Sequence, residues 1–229
     1  MSCGGERIGA GLRRMALVSA VLGASALLAL GQEPALLTAH ELAARVDHHY
    51  DQLHSLKAGF REDYAGLGMT RTETGTLFLR KPGRMLWQYS TPAGKIFLLD
   101  GRYAWLYARG DAQVQRLPSK ELDDLRSPLR FLLGHTQLEK ELTGLKLESA
   151  GNGHYTLSGL PRGQDNRVTR LALTVTAAGA ISAIEIVEVD GATTRFAFTD
   201  EQPDATIPAD IFRFTPPAGV PVVDAMPPV

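Results

Sequence analysis

Residues 75–92 read GTLFLRKPGRMLWQYSTP, and this stretch decides the fold. Leu77, Leu79 and Lys81 fall on one face of an extended segment, because side chains alternate across a strand. Pro82-Gly83 breaks that segment. The next one begins at Arg84 and places Met85, Trp87 and Tyr89 on a common face. Both rows are assigned to the interior. Arg84 and Gln88 mark the opposite face of the second segment as wet. Two strands joined by a tight turn, each with one apolar side, are the unit from which the rest is read.

Working downstream, the strand pattern continues. Residues 95–99 form a strand closed by Asp100-Gly101, a hairpin signal. Residues 103–108 and 113–117 follow. Upstream, Leu56, Ala58 and Phe60 alternate with Lys57, Gly59 and Arg61, and Gly66-Leu67-Gly68 turns this strand into the next, residues 70–81. Beyond residue 117 the alternation stops. Ser127-Pro128 starts a short helix that is apolar nearly all round (Leu129, Phe131, Leu132, Leu133) and stops at Gly134. Asp123-Asp124-Leu125 carries a further helical turn. Strands resume at 145–149, 154–158, 167–176, 181–187 and 193–199. Their connections are too short for crossover helices, so the topology is an antiparallel meander of ten or eleven strands, a sandwich or barrel.

One helix precedes the strands. Thr38 and Glu41 form a capping box, and Leu42, Val46, His49, Tyr50 and Leu53 recur at helical spacing to an end near His54. No Pro/Ser linker divides the chain, so residues 32–229 read as one domain. It carries a helical insert near 119–142 and a proline-rich, extended tail at 216–229.

Residues 1–31 stand apart. Arg7, Arg13 and Arg14 precede an uncharged apolar run, residues 15–30, and small residues follow. This is the layout of a cleavable export signal. A membrane anchor is the alternative, but the run has 16 residues, and a span needs roughly 20. Cleavage after Gly31 removes Cys3, the only cysteine, so the mature protein has none. With one cysteine there is no disulfide framework, structural zinc or iron–sulfur site. Lys+Arg 24 against Asp+Glu 25 gives a net charge of -1, which argues against a general nucleic-acid binder.

The chemistry of catalysis is not visible. There is no P-loop, G-x-S-x-G or G-x-G-x-x-G motif. Four of the six histidines, His40, His48, His49 and His54, are placed on the first helix, and His48-His49 point to different faces, so they read as solvated helix residues and not ligands. No nucleophile has a recognisable base. No catalytic residue, metal or cofactor is expected.

Three motifs in order carry a resemblance. Residues 75–92 are followed by Asp100-Gly101 and the W-x-Y strand Trp105–Tyr107. Residues 127–133 read SPLRFLL, and residues 212–220 read FRFTPPAGV. Together they resemble the periplasmic outer-membrane lipoprotein carrier family LolA, from about Glu41 to Val223. The resemblance implies a mainly β fold: an unclosed antiparallel β-barrel of about eleven strands, covered by helices as a lid. Between them it implies an apolar cavity for acyl chains, here lined by Leu77, Leu79, Met85, Trp87, Tyr89, Phe131 and Leu132. Family members often carry an arginine before the strand-ending proline, where it bonds the lid. Here Lys81 stands there, a candidate latch to carbonyls of the lid helix 127–133, or a solvated rim lysine. The implied protein is a periplasmic monomer. Its partners are acylated lipoproteins, an inner-membrane lipoprotein-releasing transporter and an outer-membrane acceptor. A carrier of another amphiphile such as a glycolipid, and a lipid-sensing regulator of envelope stress, are the alternatives.

Overall fold

A computed structural model describes residues 37–120, 132 and 137–224. The expectations for residues 1–31, for the turn at 123–125 and for the helix at 127–133 apart from Leu132 lie outside the described residues, whereas residues 119–120 and 137–142 of the insert are described. The chain opens with helix α1 (Ala39–Gln52), whose capping box is formed: Thr38 Oγ1 accepts the Glu41 N–H at 3.1 Å, and the Thr38 N–H donates to Glu41 Oε2 at 2.9 Å. Six strands follow: β1 (Ser55–Gly66), β2 (Met69–Arg80), β3 (Arg84–Thr91), β4 (Ile96–Asp100), β5 (Tyr103–Tyr107) and β6 (Val114–Pro118). The insert ends in α2 (Leu138–Glu141), and β7 (Leu142–Gly151), β8 (His154–Pro161), β9 (Val168–Thr176), β10 (Ile181–Glu188) and β11 (Thr193–Pro203) follow. A 3-10 turn (Ala209–Phe212) and β12 (Val222–Asp224) end the described chain.

All twelve strands form one sheet, in the order β12-β6-β5-β4-β3-β2-β1-β11-β10-β9-β8-β7. Two meanders, β1 to β6 and β7 to β11, are joined where β11 pairs antiparallel with β1. The sheet is unclosed, with β12 and β7 at its edges. The pairing is antiparallel except that β12 runs parallel to β6. The tail expected to be only extended therefore supplies a twelfth strand. Its three residues cover the edge of β6, and Asp224 bonds Arg116 at 2.7–2.8 Å.

The expected interior face is buried. Leu56, Ala58 and Phe60 of β1, Leu77 and Leu79 of β2, and Met85 and Trp87 of β3 are all under 5% exposed. One apolar cluster runs from Leu117 of β6 to Leu157 of β8, with the Leu42, Val46 and Tyr50 stripe of α1 packed into it. Laid flat, the strands from β6 to β8 would span about 40 Å at 4.8 Å spacing. A single helix is about 10 Å wide. The sheet therefore curls around α1 to bring both ends into one core. Gly179 permits the close approach of the helix, since a Cβ there would lie 2.4 Å from the Arg45 carbonyl oxygen.

The opposite face corrects the sequence reading. Gln88 is exposed and Arg84 half-buried, but Leu86 between them is buried. It belongs to a second core with Leu98, Ile207 and Phe212, flanked by Phe78, Trp105, Ile211 and Phe214. The segment after β11 straps across the outside of the sheet, so β3 and β4 are apolar on both faces. The Phe214 ring lies 5.5 Å from Trp105 and 6.0 Å from Tyr107, which joins the C-terminal motif to the W-x-Y strand. Helix α1 also stops short of the sequence expectation. It ends at Gln52, and His54 follows it, its N–H donating to Asp204 Oδ1 at 2.9 Å.

Candidate functional site

The inner face is built from the cross-strand register. Leu79 opposes Met85 and Leu77 opposes Trp87 between β2 and β3, and Phe97 of β4 opposes Trp87 from the other side. The Trp87 Nε1–H donates to Met85 Sδ at 2.9 Å, so its polar atom is satisfied inside the apolar layer. Phe60 lies 4.6 Å from Trp87 and 5.0 Å from Tyr89, and Phe196 lies 5.3 Å from Trp87, all edge to face. Such pairs add about 0.5–1.5 kcal/mol each beyond burial. Gly75 makes room for this stack, because a Cβ there would sit 2.7 Å from the Phe60 ring and 2.2 Å from the Gln88 carbonyl oxygen.

The residues expected to line a cavity are thereby brought together, as far as they are described. Leu77, Leu79, Met85, Trp87 and Leu132 belong to one buried cluster, and half-buried Tyr89 packs against it. Phe131 lies outside the described residues.

A polar end closes the apolar rows, and sequence reasoning missed it. Glu62 of β1 and Glu73 of β2 oppose one another directly and are 8% and 4% exposed. Two carboxylates in that register repel. Arg71 lies 3.7 Å from Glu62 and 3.3 Å from Glu73, and Lys95 is ion-paired with Glu73. The Tyr89 hydroxyl donates to Glu62 Oε2 at 2.9 Å, and the Lys95 ammonium stands 4.2 Å above the Tyr89 ring. Burial first, then the Glu62 charge, push the Tyr89 hydroxyl far above its ordinary pKa. The signal was period two: Glu73 shares the face of Gly75 and Leu77.

Helix α1 packs its Leu42, Val46 and Tyr50 stripe into the same core and carries polar ties as well. The Lys81 ammonium donates to the carbonyls of Tyr50 and, at 3.1 Å, of Asp51. These belong to the last turn of α1, where carbonyls lack intrahelical partners. The sequence reading sought Lys81's acceptors on the insert. The acceptors present among the described residues are on α1. Burial lowers the Lys81 pKa, which Asp51 partly offsets. The Tyr50 hydroxyl oxygen accepts the Ile181 N–H at 3.0 Å, and Arg45 Nη1 donates to the Ala177 carbonyl at 2.9 Å. His49 pairs with Glu201 at 3.0 Å and His40 with Glu139 at 2.7 Å, so both are engaged at the helix rim. The Asp47 carboxylate accepts the Leu138 N–H at 3.1 Å, which ties α2 to α1. Burial first, with smaller pushes from Asp51 and Glu139 and against the pull of that hydrogen bond, raises the Asp47 carboxyl to about 6.

The arrangement is an apolar surface with a helix packed into it by a buried stripe and joined to the sheet by polar contacts. Its sequence matches the family model of outer membrane lipoprotein carrier protein LolA over residues 51–215. An outer-membrane lipoprotein carrier protein of Cupriavidus necator is 30% identical over 157 residues, 68% of this chain and 72% of that one. Its counterpart in Dechloromonas aromatica is 28% identical over 217 residues, 92% of this chain and 99% of that one. The crystal structure of an uncharacterized conserved protein from Thermus thermophilus shares the fold, with a TM-score of 0.52 at 12% identity over 82% of this chain and 99% of that one. The chain belongs to the LolA family of outer-membrane lipoprotein carrier proteins, a family of carriers and not of enzymes.

Proposed function

We propose that this protein shields the acyl chains of lipoproteins between the inner face of its sheet and the helical cover. It takes them from an inner-membrane releasing transporter and delivers them to an outer-membrane acceptor. Residues 1–31 direct export to the periplasm and are removed, and residues 32–229 act as a monomeric carrier. Leu77, Leu79, Met85, Trp87, Tyr89, Phe131 and Leu132 line the acyl path. The observation that carries this reading is the continuous apolar inner face, with α1 packed into its core and Lys81 bonded to the last carbonyls of that helix. Each methylene shielded is worth about 0.8 kcal/mol, so acyl chains cannot cross water unaided. A carrier must also release them. When the site is empty, α1 and the insert supply the apolar contacts that cargo would make, so loading competes with closure and release is favoured. Lys81 sets part of that balance by holding the α1 carbonyls.

The test is mass spectrometry of what co-purifies with the chain from a periplasmic fraction. A triacylated lipoprotein is expected. A glycolipid in its place changes the cargo class, and a chain free of any amphiphile contradicts the carrier reading.

A further inference from the structure

The outer face holds a second feature that acyl-chain carriage does not use. Where the strap crosses the ends of β3 and β4, an open pocket of about 300 Å³ is lined by Arg84, Arg102 and Arg213 with Asp100, Phe212 and Phe214. The three arginines come from separate elements. Arg84 begins β3 opposite Asp100, Arg102 lies in the β4–β5 turn, and Arg213 follows the 3-10 turn. Arg102 and Arg213 are exposed, and Arg84 is half-buried. None of the three forms an ion pair or side-chain hydrogen bond among the described residues. Elsewhere on the sheet the guanidiniums of Arg61, Arg71, Arg116 and Arg170 are all paired with carboxylates.

The one carboxylate in the pocket is already engaged. Asp100 Oδ1 accepts the Arg102 and Tyr103 N–H groups at 2.7 and 2.8 Å, and Oδ2 accepts the Trp105 Nε1–H at 2.8 Å. It fixes the turn that presents Arg102. Asp210, in the neighbouring 3-10 turn, does not line the pocket. Three guanidiniums against one carboxylate leave a local positive excess in a chain whose net charge is -1. Guanidinium forks match phosphate oxygens in bidentate geometry. The rings of Phe212 and Phe214 add an apolar wall beside the charge, and the volume sits at the low end of the roughly 300–1,000 Å³ of small-molecule sites.

We propose that this pocket is a phosphate-anion site, filled by the phosphodiester headgroup of an anionic lipid at a membrane surface. The proposal goes beyond acyl-chain carriage and is independent of it, because the pocket lies on the opposite face of the sheet from Trp87.

The test is sedimentation of the chain with phosphatidylglycerol-containing vesicles and with pure phosphatidylcholine vesicles. It compares wild type with Arg102→Gln/Arg213→Gln and with Arg84→Gln. A basic side chain at an anionic surface is worth roughly fivefold in partitioning, so the double variant loses on the order of tenfold or more. A second arm follows arginine Nε–H resonances as inorganic phosphate is added. Anionic-vesicle binding that falls in the variants supports the lipid headgroup. Phosphate-dependent shifts of these arginines without vesicle binding support the same anion site with a soluble source. Vesicle binding untouched by the substitutions, or the absence of both effects, overturns the proposal. Binding of a fluorescent acyl probe, measured on the same variants, stays at the wild-type level, so failure here is distinguishable from failure of the carrier reading.

Discussion

The two tryptophans of this chain sit on opposite faces of one sheet, and their surroundings differ in kind. Trp87 is 1% exposed in the core that α1 joins, with its N–H on a sulfur and its edges against Phe60 and Phe196. Trp105 is half-buried under the C-terminal strap, with its N–H on Asp100 and its ring against Phe214. The inner cover is a helix that buries Leu42, Ala43, Val46 and Tyr50 in the first core and carries polar ties through Lys81, Arg45 and His49. The outer cover is a peptide strap anchored by apolar side chains, Ile207 and Phe212, in the second core. To admit cargo the helix exchanges that apolar stripe for acyl contacts of the same kind, and the exchange keeps apolar surface out of water. The strap runs between β11 and β12, both paired into the sheet, so it is held at each end. On the proposed carrier reading, that difference places cargo at the inner face and a fixed cover on the outer.

The largest effect that sharpens this contrast is on stability. Trp87→Ala removes a fully buried ring and is expected to lower the unfolding free energy by about 3–5 kcal/mol. Trp105→Ala removes a half-buried ring, with an expected loss of about 1–2 kcal/mol. Urea denaturation of both variants checks the order, and equal losses would erase the distinction between the faces.

Next is the latch. Lys81→Leu removes the donor to the Tyr50 and Asp51 carbonyls and leaves the strap untouched. A hydrogen bond from a charged donor contributes about 1.5–3 kcal/mol. Half-burial reduces that here to about 1 kcal/mol, or roughly fivefold in the closed-to-open equilibrium. Cargo then binds tighter and transfers to its acceptor more slowly. Unchanged transfer kinetics in a folded Lys81→Leu protein removes the latch.

The smallest effect is the pH dependence of the α1–α2 tie. The Asp47 carboxyl is raised to about 6 by burial, so the folded state favours its neutral form. The stability this contributes is fully present below an ordinary carboxylate pKa of about 4 and is lost as pH rises through about 6. Solvent screening of the half-exposed group limits it to about 1 kcal/mol. Asp47→Asn keeps an oxygen for the Leu138 N–H and removes the titration. Between pH 5 and 7.5, the wild-type stability should fall relative to that of Asp47→Asn. Parallel pH profiles would show that Asp47 does not report on the cover.

Much of the inner face was legible because period two is a local rule. Leu77, Leu79, Met85 and Trp87 could be placed from alternation alone, and the Thr38–Glu41 box fixed where α1 begins. The outer face was not, because Arg84 and Gln88 flank Leu86 and read as a wet side. The runs Met85-Leu86-Trp87 and Ile96–Leu99, apolar without alternation, carried the better signal, since strands buried on both faces read that way. What covers Leu86 comes from residues 207–214, far along the chain, and no local pattern specifies that contact. The same holds for β12, three residues amid prolines that pair with β6, and for Lys81, whose acceptors lie thirty residues upstream. Glu62 and Glu73 were separately visible, but their opposition across the β1–β2 register is a product of the fold.

The central claim is that acyl chains enter under α1 against the Trp87 face. With only two tryptophans, one per face, the native fluorophores report it directly. A brominated long-chain fatty acid quenches indole fluorescence on contact and can be titrated into Trp105→Phe, which retains Trp87, and into Trp87→Phe, which retains Trp105. The account predicts saturable quenching of Trp87 and none of Trp105. Quenching of Trp105 with Trp87 unaffected, or of neither, would contradict it.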